Sequence, residues 1–113
     1  MHEVAIAAAL IDLVREEAAA ARASRVTRLV VEIGALSHVD THALRFAVDV
    51  AAHGGPAEGA RLDILEPPGI AWCLDCEASV TIPARGAPCP RCDGVKLIVQ
   101  GGDEMRLKEM EVS

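Results

Sequence analysis

The chain has 113 residues, a formal net charge of -6 and a pI near 5.1. This size predicts one domain or two small modules. The acidic balance and the presence of only one Phe and one Trp argue against nucleic-acid binding. No apolar run reaches the ~18 residues of a membrane span, and no signal peptide is visible. We therefore expect a cytoplasmic protein without a membrane partner, in which thiols stay reduced.

Hydrophobic periodicity predicts an α+β fold in the larger part of the chain. Apolar side chains recur at steps of three and four over residues 3–22 and again over 40–53, which predicts two amphipathic helices. Alternating patterns over 25–33 and 60–66 predict two strands. A last strand over 104–112 is expected to return to the same sheet. The prediction is two helices on a small three-stranded sheet.

A break at Pro67-Pro68-Gly69 separates this part from a cysteine-rich insertion. We expect one module to comprise residues 1–67 and 102–113, and an inserted zinc-ribbon-like module to comprise residues 68–101. A module of that size has almost no core of its own. It therefore needs a metal ion or disulfides to hold its fold.

The four cysteines of the insertion form two C-x2-C pairs with twelve residues between them: Cys73 and Cys76, then Cys89 and Cys92. Two such knuckles present four thiolates at the corners of a tetrahedron, the geometry that Zn²⁺ accepts most readily. Four thiolates leave no coordination position open, which predicts a structural zinc site. Gly94 is expected to supply a positive φ beside the last ligand.

Other uses of the cysteines fit the sequence less well. A redox CxxC needs a strand before it and a helix after it, whereas Pro83, Gly86 and Pro88 follow here. Disulfides would need an export signal. A zinc-ribbon adaptor that only binds a protein or nucleic-acid partner stays open as the alternative function. The sequence contains no catalytic constellation, so we expect a non-enzyme.

The N-terminus Met1-His2-Glu3 combines an α-amine, backbone amides and an imidazole. The amine and imidazole have reference pKa values of about 7.7–8.0 and 6.5, so both can become neutral ligands near pH 7. Ni²⁺ and Cu²⁺ bind such nitrogens in square-planar geometry. Taken alone, the pattern favours an exposed His2 without a role and a Glu3 that complements the helix dipole. The remaining histidines are expected to be surface residues: His38, His42 and His53.

Several segments together resemble one family over essentially the whole length of the chain. They read Met1-His2-Glu3, Val31-Glu32-Ile33-Gly34-Ala35-Leu36-Ser37, Ala43-Leu44-Arg45-Phe46-Ala47, Ala57-Glu58-Gly59-Ala60, Trp72-Cys73-Leu74-Asp75-Cys76, Cys89-Pro90-Arg91-Cys92 and Glu109-Met110-Glu111-Val112. The chain resembles the HypA/HybF family of hydrogenase maturation nickel chaperones. It departs from many members at Asp93-Gly94, where Gly or His directly follows the last cysteine.

This resemblance implies a transferable nickel ion and a set of partners. Nickel would be bound by the N-terminal amine, the neighbouring backbone amides and the His2 imidazole, which correspond to Met1, His2 and Glu3. Asp40 falls where members often carry an acid that supports the nickel site. The implied partners are a maturation GTPase and the [NiFe]-hydrogenase large subunit, with urease maturation proteins for some members.

Overall fold

The structure, a computed structural model, describes residues 2–113. These residues form two α-helices, a short 3-10 helix at Ala35–Ser37 and two three-stranded sheets, which confirms the predicted α+β class. The helices and strands have these bounds: α1 His2–Ala20, β1 Val26–Ile33, α2 Thr41–Ala52, β2 Arg61–Leu65, β3 Gly69–Cys73, β4 Ala78–Ile82, β5 Leu97–Gly101 and β6 Met105–Val112. Neither helix of the described part combines the length and apolar character that a membrane span requires.

One compact unit contains the N-terminal residues through Val31, Val39–Ile64 and Arg106–Ser113. In it α1 packs against α2, and the sheet has the strand order β2-β1-β6. The last strand therefore returns to this sheet, as predicted, and the structure places it beside β1. Among the residues that the structure describes, none of the buried ones is aromatic. The core is therefore made mainly of short aliphatic side chains. The buried side chains of the helices and of β1 include Ala7, Ile11, Val14, Ala18, Val26, Leu29, Val31, Leu44, Val48 and Ala52.

The second compact unit contains Glu32–His38 and Leu65–Met105. Its sheet has the order β4-β3-β5, and β3 pairs antiparallel with both neighbours. The sequence indicated only short apolar stretches here, so this separate sheet is a finding of the structure. Its small core consists of aliphatic side chains and two cysteines: Leu36, Ala71, Cys73, Val80, Ile82 and Cys89.

Three glycines let backbone segments of this second unit cross at very short range. A Cβ on Gly102 would overlap the backbone of Gly69, and one on Gly34 would overlap the carbonyl of Gly102. Gly102 also has a φ of 94°, a conformation that favours glycine. The close approach allows the N–H of Leu36 to donate to the Gly102 carbonyl at 2.7 Å. This hydrogen bond places Leu36 in the core around the cysteines.

Candidate metal centres

The four cysteine sulfurs lie close together in the second unit. All four Sγ atoms are within 4.8 Å of one another. The Sγ atoms of Cys73 and Cys92 are 3.7 Å apart, and those of Cys76 and Cys89 are 3.9 Å apart. Four sulfurs bound tetrahedrally at about 2.3 Å from one Zn²⁺ would be separated by about 3.8 Å. The cluster therefore has the dimensions of a closed tetrahedral zinc site.

The first knuckle begins at Cys73, the last residue of β3. The backbone N–H of Cys76 donates to the Cys73 sulfur at 3.4 Å, which holds the two ligands on one side of the turn. Glu77 has a φ of 53°, and its N–H donates to the Cys73 carbonyl at 2.8 Å. This bond closes the turn, so the chain can return as β4.

The second knuckle repeats this geometry. The N–H of Arg91 donates to the Cys89 sulfur at 3.4 Å, and the N–H of Asp93 donates to the Cys89 carbonyl at 2.8 Å. The left-handed residue is Asp93, with a φ of 62°. The prediction that Gly94 supplies the positive φ is therefore wrong. A Cβ at Gly94 would lie 3.2 Å from the Cys92 sulfur and 3.0 Å from the Asp75 carboxylate, so these side chains would have to move by a few tenths of an ångström to admit it.

Burial and hydrogen bonding make the four thiols unequal. Cys73 and Cys89 are buried, Cys76 is half-buried and Cys92 is exposed. Burial disfavours the Cys89 thiolate, but N–H donors from Cys92 and Arg91 outweigh it and lower the pKa of Cys89 to about 7. The pKa of Cys76 is raised to about 12, firstly by its hydrogen bond with the Cys92 side chain and secondly by burial. Adjacent thiols resist sharing negative charge, so full ionisation of the cluster requires a cation among them.

The other predicted metal-binding residues lie at the start of the chain. His2 is the first residue of α1 and is exposed, whereas Glu3 is 9% exposed. The Glu3 carboxylate accepts a hydrogen bond from the backbone N–H of Asp40 at 3.0 Å. Met1 lies outside the described residues. The structure thus brings Glu3 and Asp40 together within one turn of His2.

Asp40 is itself fixed by the helix that follows it. It is the N-cap of α2, and its Oδ1 accepts hydrogen bonds from the N–H groups of His42 and Ala43 at 3.0 and 3.1 Å. An acid in this position satisfies orphan N–H groups of the first turn. The sequence indicated Asp40 or Thr41 as the cap. It gave no signal for the bond to Glu3, because the two residues are 37 positions apart.

Comparison with known proteins decides the family. A family model described as "Hydrogenase/urease nickel incorporation, metallochaperone, hypA" matches residues 1–112. The chain belongs to the HypA family. It is 50% identical over 112 residues to "Hydrogenase maturation factor HypA" of Rhodopseudomonas palustris, with 99% of both chains covered. The protein of the same name from Azotobacter chroococcum is 49% identical with the same coverage.

Solved HypA structures have the same fold. The "Solution structure of the Ni metallochaperone HypA from Helicobacter pylori" is 28% identical, with a TM-score of 0.70 and coverage of 97% of this chain and 96% of that chain. A second HypA solution structure is 30% identical, with a TM-score of 0.74 and coverage of 100% and 97%. HypA is a metallochaperone family rather than a family of catalysts, and its members act in hydrogenase maturation.

Proposed function

We propose that this chain binds one Ni²⁺ at its N-terminus and delivers it during [NiFe]-hydrogenase maturation. The observation that carries the proposal is the hydrogen bond between Glu3 and Asp40, which anchors the residue next to an exposed His2. A cargo site must hold its ion firmly and still be open to a partner. An anchored backbone beside an exposed imidazole suits both requirements.

The ligands in this proposal are nitrogens of the first three residues. They are the α-amine of Met1, the imidazole of His2 and the backbone amides of His2 and Glu3. Ni²⁺ favours such nitrogen sets in square-planar geometry. Binding releases protons from these groups, so nickel affinity falls as the pH falls. Asp40 does not bind the ion in this scheme. It orients the Glu3 carboxylate, and with it the chelating segment.

Zinc has a different role from nickel. We propose that Cys73, Cys76, Cys89 and Cys92 hold one structural Zn²⁺ in the module at 68–101, while residues 1–67 and 102–113 form the nickel-binding module. The bound ion would compensate the charge of four neighbouring thiolates. Two of these thiols belong to the small core of the second unit, so the metal would stabilise the packing around them.

The proposed partners are those of the maturation pathway. They are the maturation GTPase and the [NiFe]-hydrogenase large subunit, with urease maturation proteins as further clients. We propose that transfer takes place in the cytoplasm, where four free cysteines remain available for metal binding. Delivery breaks only coordination bonds: competing ligands of the client displace the amine, the amides and the imidazole, and the released groups take back the protons that they lost on binding.

A nickel titration of the zinc-loaded protein tests this function. The protein must carry its native N-terminus, because a tag would remove the α-amine ligand. We expect about one nickel per chain and loss of that binding in His2→Ala. His53→Ala is the matched control, since His53 is another exposed histidine and pairs with Glu58 at 2.7 Å. Equal nickel binding by wild type and His2→Ala, or no binding by either, would exclude the N-terminal site.

One observation favours the zinc-ribbon adaptor as a second candidate function. Leu74 and Val95 are 50% and 80% exposed beside the two knuckles, and the N–H of Leu74 donates to the carbonyl of Lys96 at 3.0 Å. Exposed apolar side chains next to a rigid metal site suit a protein-binding surface. The same nickel titration separates the two functions, because an adaptor does not need His2.

A further inference from the structure

The four cysteines of the proposed zinc site differ in their access to solvent. Cys92 is exposed and Cys76 is half-buried, whereas Cys73 and Cys89 are only 0% and 1% exposed. All four are free thiols in the structure, so each has a sulfur that can be oxidised. An oxidant that arrives from solvent therefore meets Cys92 before it meets the buried pair.

A buried sulfur lies in contact with the exposed one. The Sγ atoms of Cys92 and Cys73 are 3.7 Å apart. Cys92 belongs to the second knuckle and Cys73 to the first, so a bond between these two sulfurs would join the knuckles. A solvent-accessible cysteine beside a second, resolving cysteine is the arrangement that redox-sensing proteins use.

The backbone assigns different roles to the two cysteines. Cys73 is held in β3, where it pairs with Ala78 on one side and Leu97 on the other. Cys92 lies in a turn outside the strands. Formation of a disulfide requires the sulfurs to approach to about 2.05 Å. A turn moves more readily than a strand paired on both sides, so we expect the movement to come mainly from Cys92.

We propose that Cys92 reacts with hydrogen peroxide and that Cys73 then forms a disulfide with it across the two knuckles. The Cys92 thiolate attacks one oxygen of the peroxide: an S–O bond forms, the O–O bond breaks and hydroxide leaves. The Cys73 thiolate then attacks the Cys92 sulfur: an S–S bond forms, the S–O bond breaks and a second hydroxide leaves. Two electrons have passed from the sulfurs to the peroxide.

The disulfide has a consequence for metal binding, because it removes two of the four proposed zinc ligands. A structural zinc site is closed by four ligands, so loss of the ion should follow. Cys73 also belongs to the small core of the second unit, together with Leu36 and Cys89. Oxidation would therefore loosen this core until a thiol reductant and new zinc restore it. The inference rests on the proposed zinc site and adds redox control to it.

Peptide mapping tests the pairing on the wild type. Full-length, zinc-loaded protein is treated with hydrogen peroxide, its remaining thiols are alkylated, and the chain is cut with trypsin. Trypsin separates the cysteines into three peptides: residues 62–85 with Cys73 and Cys76, residues 86–91 with Cys89, and residues 92–96 with Cys92. We expect the first and third peptides to be linked, with fragmentation placing the bond at Cys73. A main product that links the second and third peptides would overturn the proposal.

Zinc release tests the role of Cys92. A coloured zinc indicator follows the ion, of which we expect about one per chain before oxidation. Peroxide should release it from the wild type, and the zinc that Cys92→Ser retains should leave at least about tenfold more slowly. Dithiothreitol with added zinc should restore the zinc content. This recovery assigns the loss to thiols, because dithiothreitol does not reduce methionine sulfoxide.

A matched pair of variants tests the role of Cys73. Cys73→Ser and Cys89→Ser each remove one buried cysteine of the same core, so their effects on zinc and packing are comparable. Only Cys73→Ser removes the resolving sulfur. The sulfenic-acid reagent dimedone should therefore label Cys92 more strongly in Cys73→Ser than in Cys89→Ser, and Cys89→Ser should still link Cys73 to Cys92.

The outcomes separate this inference from the proposed zinc site. Equal dimedone labelling in the two variants, or release of zinc from Cys92→Ser at the wild-type rate, would overturn the redox inference. Absence of zinc from the reduced wild type would instead contradict the zinc site, and the peptide map of that protein would still decide whether Cys73 and Cys92 pair.

Discussion

The Glu3 carboxylate and the backbone N–H of Asp40 form a 3.0 Å hydrogen bond that links the first turn of α1 to the N-cap of α2. Glu3 is nearly buried, whereas the neighbouring His2 is exposed. The bond therefore fixes the backbone beside the proposed nickel ligands and leaves the imidazole accessible.

Removing this anchor should weaken nickel binding. Glu3→Ala loses the acceptor for the Asp40 N–H, so the chelating segment gains freedom that nickel binding must remove. We expect the nickel Kd to rise about tenfold, the lower range for loss of an outer partner of a metal ligand. Competition with a coloured chelator measures the Kd. Glu3→Gln keeps an oxygen acceptor and should bind more tightly than Glu3→Ala, and the exposed acid variant Glu16→Ala should match wild type. Equal affinities for all three variants would show that the anchor is irrelevant.

Replacing a buried or an exposed cysteine should have different consequences for zinc. Cys73→Ser puts a hydroxyl into the apolar core of the second unit, whereas Cys92 is exposed and a water molecule can take its place on the ion. We expect Cys73→Ser to lose zinc on dialysis and Cys92→Ser to retain part of it. Zinc analysis measures the content, and fluorescence of Trp72, the single Trp and a residue of β3, reports the fold of the same unit. Equal loss in both variants would contradict this difference.

The close backbone approach between Gly102 and Gly69 should be sensitive to a single added methyl group. Gly102→Ala adds a Cβ that overlaps the Gly69 backbone at a φ of 94°. Gly86→Ala is the matched control, with a φ of 82° and nothing within 4 Å of the added Cβ. We expect a loss of about 1–2 kcal/mol in the free energy of unfolding for Gly86→Ala from backbone strain alone. Gly102→Ala should lose at least about 2 kcal/mol more through the steric overlap. Urea denaturation measures the free energy of unfolding of both variants. Similar losses would contradict the close approach of Gly102 to the Gly69 backbone.

The Arg28–Asp63 pair should make stability depend on acid pH. Arg28 Nε donates to Asp63 Oδ2 at 2.7 Å, and Arg28 also pairs with Glu109 and Glu111. The hydrogen bond from Arg28 lowers the pKa of Asp63. Burial acts in the opposite direction, and a second hydrogen bond, from Arg61, adds to the lowering. A carboxyl with a lower pKa in the folded state stabilises the fold above its unfolded pKa of about 3.9. That contribution is lost as the pH falls through the folded value.

Asp63→Asn tests this dependence. We expect the variant to be less stable than wild type at pH 7, and the difference to shrink as the pH falls below about 4. Urea denaturation at a series of pH values measures it. Asp49→Asn, which changes an exposed acid of α2, should follow the wild-type curve. A difference between Asp63→Asn and wild type that stays constant with pH would rule out the ion pair as its cause.

The sequence by itself determined the features that depend on neighbouring residues. The spacing of Cys73 and Cys76, and of Cys89 and Cys92, indicated the cluster because each knuckle is a local turn. The periodicity indicated both helices and the strands around them for the same reason. It did not identify Asp93 as the left-handed residue, because glycine adopts a positive φ more readily and Gly94 follows directly.

Tertiary structure alone decided what depends on residues far apart in the chain. Burial of Glu3 follows from the approach of Asp40, 37 positions away. Phe46 is exposed because the buried side of α2 is the one that carries Leu44 and Val48. Local patterns set which side chains share a helix face, but only packing sets which face meets water. The hydrogen bond between Glu3 and Asp40 and the exposure of Phe46 are therefore properties of the folded chain.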